Sequence, residues 1–339
     1  MQKLKCGKYS FRFSEPPVIG FWASAAGKKE SEGPLGACFD CVSRDPYWGQ
    51  KTFEQAEQTM QQTVLKRLLR KAGLNYGDLN LTFSGDLLNQ CICSSFCLRN
   101  SGIAHVGLYG ACSTMAEGLM LAAMAVGGGF ADNACAMTSS HFCSSERQYR
   151  FPLGYGGQRT PTSQWTVTGS GGVLVLPEGT GPRITGCTMG TVTDLGIRDM
   201  NNMGAAMAPA AYSTIKNHFR DFHSGPDDYD LIVTGDLGQL GKDIVLELGS
   251  REGLSLGGKL QDCGCMIFDS TVQNVGSGGS GCGCSAAVLC GHLLKELSEG
   301  RLHKILFCGT GALLSPLSSQ QGLTIPGICH AVILSSEGR

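Results

Sequence analysis

The chain has 339 residues, 42% of them hydrophobic and 16% charged, enough for one large α/β domain or two medium ones with a sizeable core. Its 27 basic and 28 acidic residues leave a formal net charge of -1, which excludes bulk attraction to nucleic acid or an anionic membrane and leaves any charged ligand to local recognition. Seventeen cysteines, an odd number, argue against a complete disulfide framework, and the pairs Cys91/Cys93, Cys263/Cys265 and Cys282/Cys284 lack zinc-ribbon spacing; they read as small buried thiols of a reducing compartment, with no metal site.

From the N-terminus, MQKLKCGKYSFRFSEPP carries basic residues without a following apolar segment, and no apolar run is long enough to span a membrane. The reading is a soluble chain without a signal peptide or transmembrane segment. TFEQAEQTMQQTVLKRLLRKAG then predicts a helix, with Val64, Leu65, Leu68 and Leu69 as its apolar stripe. GDLNLTFSGDLLNQ, residues 77 to 90, follows. Its apolar run LTFS predicts a strand, and Asp86 and Asn89 should emerge at the strand's end, where α/β proteins place their sites. Asp86 is a candidate to hold calcium or to cap the next helix through the backbone.

Residues 108 to 141, LYGACSTMAEGLMLAAMAVGGGFADNACAMTSSH, put Cys112 between an apolar strand-like run and a small-residue helix. Unpaired N–H groups and partial positive charge at a helix start lower a thiol's pKa, so the position suits a nucleophile. Thr114 and Glu117 have capping-box spacing. His141 closes the strand ACAMTSSH, where it either faces a site or is a buried histidine bonded to backbone. SSERQYRFPLGYGGQ reads as a loop shaped over a site. It brings Arg147, Arg150 and Arg159 near Tyr149, Phe151 and Tyr155: forks for carboxylates beside rings that stack on a planar ligand. The alternative is a surface pairing of Glu146 with Arg147 or Arg150.

The second half repeats the first. MGAAMAPAAYSTIKNHFRDF predicts a helix, and DDYDLIVTGDLGQL, residues 227 to 240, matches the earlier strand segment at an offset of 150, with Asp78 on Asp228, Leu81 on Leu231 and Gly85-Asp86-Leu87 on Gly235-Asp236-Leu237. Because Asp236 repeats Asp86, capping is the more economical role for both; Asn89 has no twin and is the better candidate for a half-specific function. GGFADNACAMTSS aligns with EGRLHKILFCGTG at an offset of 171. Such a duplication implies two similar halves about a pseudo-twofold axis, at 1–180 and 181–339, with a site where they meet. GTGALLSP could supply backbone N–H donors there, and His330, in GICHAVIL, reads as a buried structural histidine on a late strand.

These features together resemble the thiolase and ketoacyl-synthase superfamily, which implies an α/β fold of α-β-α-β-α layers and a helix after Cys112 buried between two sheets, hence its small residues. Within it, the strings SAAGKKESEGPLGACFD, SGDLLNQ, GACST, TSSHFCSSERQYRFPLGYGGQ, DLGIRDMNNMGAAMAPAA, DCGCMIF and GGSGCGCSA resemble a thiolase-like family of spore-forming bacteria. That resemblance implies binding of dipicolinic acid (pyridine-2,6-dicarboxylic acid), free or as its calcium chelate, for uptake into developing spores. It also implies a place beside the forespore membrane, membrane-embedded sporulation proteins as partners, and a homodimer through the first-half sheet. In condensing enzymes of the superfamily a second-half histidine, with a further histidine or asparagine, serves the cysteine. The comparable strings here read Asp262-Cys263-Gly264 and Gly279-Ser280-Gly281. Losing a base and an oxyanion donor removes roughly two to four orders of magnitude each, so the expectation is a binding protein whose ligand meets Cys112, Asn89, Asp86, His141, Arg147 and Arg150. The alternative is an acyl-coenzyme A condensing or acyl-transfer enzyme with Cys112 as nucleophile and an unconventional base such as His141.

Overall fold

The computed structural model describes residues 4–149 and 159–336. In chain order the first half holds β1 (Ser10–Arg12), β2 (Val18–Ala26), α1 (Lys28–Ser31), β3 (Cys41–Val42), α2 (Phe53–Ala72), β4 (Leu81–Asp86), α3 (Ile92–Leu98), β5 (Ala104–Gly107), α4 (Thr114–Gly127), β6 (Ala134–Ser140), α5 (Phe142–Tyr149), β7 (Trp165–Thr166) and β8 (Gly169–Leu176). The second holds β9 (Arg183–Thr188), α6 (Met203–Phe222), β10 (Leu231–Thr234), α7 (Gly238–Arg251), β11 (Leu260–Asp262), α8 (Cys263–Ile267) and β12 (Gly279–Ser280). It continues with α9 (Cys282–Val288), a π-helical turn over Leu289–Leu293, α10 (Leu294–Ser298), β13 (Lys304–Ala312), α11 (Pro316–Gln320) and β14 (Gly327–Ser335).

The duplication read from the sequence appears strand for strand. The sheet runs β5-β4-β6-β8-β2 and then β9-β14-β13-β10-β11. In each set a central strand is parallel to two neighbours, β4 to β5 and β6, and β10 to β11 and β13. The next pair, β6 with β8 or β13 with β14, is antiparallel. The sets touch through a single antiparallel register pair, Val18 with Arg183, and the division proposed after residue 180 falls in the turn between β8 and β9. Off this path, β1 pairs antiparallel with β9 and β12 pairs in parallel with β7, two further links between the halves.

The two long outer helices keep the offset of 150 to the residue and are built alike. Thr52 caps α2 by accepting from Gln55 N, and Asn202 caps α6 by accepting from Ala205 N; such side-chain acceptors satisfy amides that the first turn leaves open. Each helix ends on a left-handed residue, Gly73 or His223.

Helix α4 packs against β4 and β6 of its own half and against β13 and β14 of the other. Met115, Ala116, Leu119, Ala122 and Ala123 are fully enclosed, which explains the run of small residues. Close approach is absolute at Gly309 of β13, where a Cβ would lie 2.6 Å from that of Ala116, closer than real Cβ atoms come. All seventeen cysteines are free and twelve are buried, packing as small apolar side chains.

Candidate functional site

Cys112 reaches its place through a tight turn. β5 gives way at Leu108, whose N–H donates to Ser84 O. Ala111 then adopts φ +52°, a left-handed conformation rare for alanine and held only where the surroundings dictate it. The short helical turn Ala111–Ser113 delivers Cys112 to the start of α4. The expected capping box does not form: Thr114 Oγ1 donates back to Ala111 O, and Ser113, the N-cap, makes no side-chain cap.

Cys112 is 7% exposed and opens on a cavity of about 680 Å³. Leu87, Tyr149, Met200, Met203, Leu313 and Leu314 form its apolar wall, and Asn89, Ser145, Glu146, Gln164, Thr166 and Ser280 a polar one. The cavity lies past the C-terminal ends of β4, β10 and β13, where the halves meet.

The thiol behaves opposite to the expectation from its helix terminus. Burial, and then the neighbouring Asp236 carboxylate, raise its pKa well above the ordinary thiol value. Desolvation and a like charge both disfavour a thiolate, and together they outweigh a partial charge from the helix. Asp236 is wholly buried and held by donors from three places: Gly281 N at 2.8 Å, Ser280 Oγ at 3.2 Å and Thr310 Oγ1 at 2.8 Å. Cys282, which opens α9 as Cys112 precedes α4, packs against Cys112 and Leu87 and donates its thiol to Ser139 O.

The two aspartates of the repeated Gly-Asp-Leu string have therefore diverged. Asp86 is a backbone cap: its carboxylate accepts from Leu88 N at 3.0 Å and from Ser94 N and Oγ at 2.8 Å each, and it does not line the cavity. Asp236 holds the β12–α9 junction under Cys112 instead, and the cap on Leu237 N and Gly238 N comes from Asp262. Asp262 also caps α8 through Cys265 N, and its burial raises its pKa to about 6.

Among the other candidates, Asn89 lines the cavity and accepts from Tyr109 OH at 3.1 Å. His141 does not line it. β6 ends at Ser140 and α5 begins at Phe142, so the chain turns at His141 and carries the ring away, onto Phe53. There Nδ1 accepts from Cys143 N at 3.2 Å, leaving Nε2–H to donate to Pro46 O at 2.8 Å. Both nitrogens are engaged, and burial lowers the ring's pKa. His330 sits on β14 and accepts from Gly190 N at 3.2 Å; burial holds its pKa at about 4. No histidine lines the cavity among the described residues.

Of the segment expected as loop, 144–158, the described part 144–149 lies in helix α5. Its periodicity sends Ser145, Glu146 and Tyr149 to the cavity and Arg147 outward to an ion pair with Glu54. Arg150, Phe151 and Tyr155 lie outside the described residues. Among the described arginines, Arg159 lies beside the site: it pairs with the buried Glu146 at 2.7 Å, donates to Gln164 O, and lies over the stacked rings of Phe142 and Trp165. Glu146 thus pairs with Arg159 as a buried group while Arg147 pairs with Glu54, and the alternative pairing with Arg150 lies outside the described residues.

Sequence reasoning passed over Gln164, whose amide donates to Asp236 O and Gly279 O across the two halves; no local pattern marks it. The backbone of GTGALLSP is largely committed, because β13 pairs through Ala312 and the N–H groups of Leu313 and Leu314 donate to Pro326 O and Ala312 O. Among the described residues, one group of potential metal ligands comes within 4.8 Å, Glu57, Asp86 and Cys93, and its carboxylate oxygens already accept from Ser139, Ser144, Ser94 and Leu88.

A family model described as stage V sporulation protein AD matches residues 7–335. The stage V sporulation protein AD of Bacillus subtilis (strain 168) is 44% identical over 332 residues, covering 98% of both chains. Among solved structures, 3-oxoacyl-[acyl-carrier-protein] synthase III from Aquifex aeolicus VF5 superposes with a TM-score of 0.54 at 13% identity, covering 94% of this chain and 99% of its own. Cerulenin-bound OleA of Xanthomonas campestris gives 0.58 at 15% identity, covering 96% and 97%. These likenesses establish a thiolase-like α/β fold.

Proposed function

The chain belongs to the stage V sporulation protein AD family, and on that footing we propose that it is a non-catalytic binding protein that holds dipicolinic acid, free or as its calcium chelate, in the cavity beside Cys112. The observation that carries this reading is the Asp236 carboxylate next to Cys112. A nucleophilic cysteine needs its proton removed and the resulting thiolate stabilised. Here burial first, and then the Asp236 carboxyl beside it, raise the thiol's pKa and disfavour a thiolate.

The cavity suits a small planar acid. Tyr149 and Tyr109 offer ring surface, Leu87 and Met203 apolar contact, and Ser315, Asn89 and Asn201 neutral hydrogen-bond donors for carboxylates. Loading of such a ligand into spores calls for hand-over to membrane-embedded sporulation proteins at the forespore membrane. No helix among the described residues is long and apolar enough to cross a membrane, consistent with a peripheral role. Isothermal titration of the purified protein with dipicolinate, with and without calcium, tests the reading: saturable binding weakened in Cys112→Ala supports it, and no saturable heat in either form sinks it.

A second reading, an acyl-coenzyme A condensing or acyl-transfer enzyme, rests on Cys112 keeping its place at the head of α4 in a fold shared with condensing enzymes. Incubation with acyl-coenzyme A followed by intact mass spectrometry separates the two; a Cys112 thioester that turns over favours the enzyme.

A further inference from the structure

The end of the second half remote from Cys112 holds a groove of about 600 Å³. It lies where β10 and β13 begin, whereas the Cys112 cavity lies past the end of β13; along that nine-residue strand the separation is roughly 25 Å. Arg12, His223, His303 and Lys304 line it, together with Asp228 and Asp230.

The charges there are unevenly partnered. Arg12 lies over the Phe222 ring at 5.2 Å and Lys304 Nζ over the Tyr229 ring at 4.7 Å. At the rim, Arg183 donates to Pro16 O and Lys259 to Tyr229 O. None of these four cations has a carboxylate within ion-pairing distance among the described residues, although Arg220 close by pairs with Asp221. The two aspartates in the groove are turned to the backbone instead. Asp228 accepts from Gly225 N at 2.7 Å, and Asp230 accepts from His303 N at 2.6 Å and Lys304 N at 2.9 Å.

We propose that this groove is a second binding site, for a phosphoryl group or a comparable multiply charged oxyanion, gripped by Arg12 and Lys304 with Arg183 and Lys259 at its rim. An aromatic ring beneath a cation attracts it without cancelling its charge, so each head keeps its outer donors for a ligand. Arg12 adds a planar fork matched to two oxygens of one anion, and Lys304 a point charge. Four cations against the two aspartates of the groove leave a surplus of two positive charges, which is why a doubly charged anion fits better than a singly charged one. The site is independent of the reading made for the Cys112 cavity.

Such an anion reaches the groove either free or as a lipid headgroup, and two probes distinguish them. Inorganic pyrophosphate is titrated calorimetrically against the full chain. Flotation is then followed with vesicles of phosphatidic acid, whose phosphomonoester headgroup can carry two charges, and phosphatidylcholine in equal parts, and of phosphatidylcholine alone. The wild type should bind pyrophosphate, the mixed vesicles, or both. Arg12→Gln/Lys304→Gln should weaken that binding by at least about tenfold, with dipicolinate titration unchanged. Pyrophosphate binding alone assigns a free anion, and binding to the mixed vesicles alone assigns a headgroup. Should that variant fold poorly by circular dichroism, Arg183→Gln/Lys259→Gln repeats the test at the rim. The proposal is overturned when the wild type binds neither probe, or when a folded variant binds as the wild type does.

Discussion

Replacing Glu57 by glutamine should stabilise this protein at neutral pH and not in acid. Glu57 is wholly buried on α2 and accepts from Ser139 Oγ at 2.9 Å and Ser144 Oγ at 2.7 Å. Burial first, and then Asp86, push its pKa up to about 8 from an ordinary 4.5. The folded chain therefore holds a proton on Glu57 at pH 7 that the unfolded chain has released. Because the folded state binds more protons between about pH 4.5 and 8, stability falls as pH rises through that window and levels off above it. At about 1.4 kcal/mol per pH unit, keeping this carboxyl neutral at pH 7 costs about 3 kcal/mol. Glutamine is neutral at every pH and keeps the shape. Ser144 Oγ also reaches His141 O at 3.1 Å, so it can donate there and accept from the new amide. Urea unfolding of both proteins at pH 5, 7 and 8.5 reads the difference. Glu57→Gln should gain about 2–3 kcal/mol at pH 7, more at pH 8.5 and close to nothing at pH 5. A variant less stable than wild type by the same amount at all three would show that Glu57 is ionised in the fold and that the reasoning is wrong.

Three further outcomes are expected. Alkylation of Cys112 by iodoacetamide, followed by peptide mass spectrometry, should be slow at neutral pH, and Asp236→Asn should accelerate it by removing the adjacent charge; an unchanged rate would separate Asp236 from the thiol's low reactivity. Gly309→Ala should cost about 1–3 kcal/mol by overpacking, because its Cβ meets Ala116 at 2.6 Å, and should disturb dipicolinate binding through α4; denaturant unfolding beside titration checks both. Arg159→Met should destabilise by about 1.5–3 kcal/mol, the worth of a hydrogen bond to a charged group, as the largely buried Glu146 loses one of its partners, and adding Glu146→Gln should recover part of it; thermal unfolding of the single and double variants measures the coupling.

Local pattern and repetition carried most of the architecture. The offset of 150 foretold α2 and α6 as twins and β4 and β10 as matching strands, because an amphipathic period and a buried apolar run are written in neighbouring residues. The resemblance to the thiolase and ketoacyl-synthase superfamily implied a helix covered on every side after Cys112, which its small residues permit. What the string could not carry is which distant groups meet. Gly85-Asp86-Leu87 and Gly235-Asp236-Leu237 are the same letters, yet Asp86 meets Ser94, 8 residues away, while Asp236 meets Gly281 and Thr310, 45 and 74 residues away. The state of Cys112 follows from that second meeting: a helix start lowers a thiol's pKa, but enclosure and a buried carboxylate, both products of the halves closing on each other, raise it further than the helix can lower it. His141 and Arg147 show the same division, since their candidacy came from composition whereas their direction was decided by where β6 stops and α5 turns. Sequence alone determined the duplicated frame and the place of the thiol; only the packed structure decided the charge around it, because burial and long-range electrostatics exist only once the chain has folded.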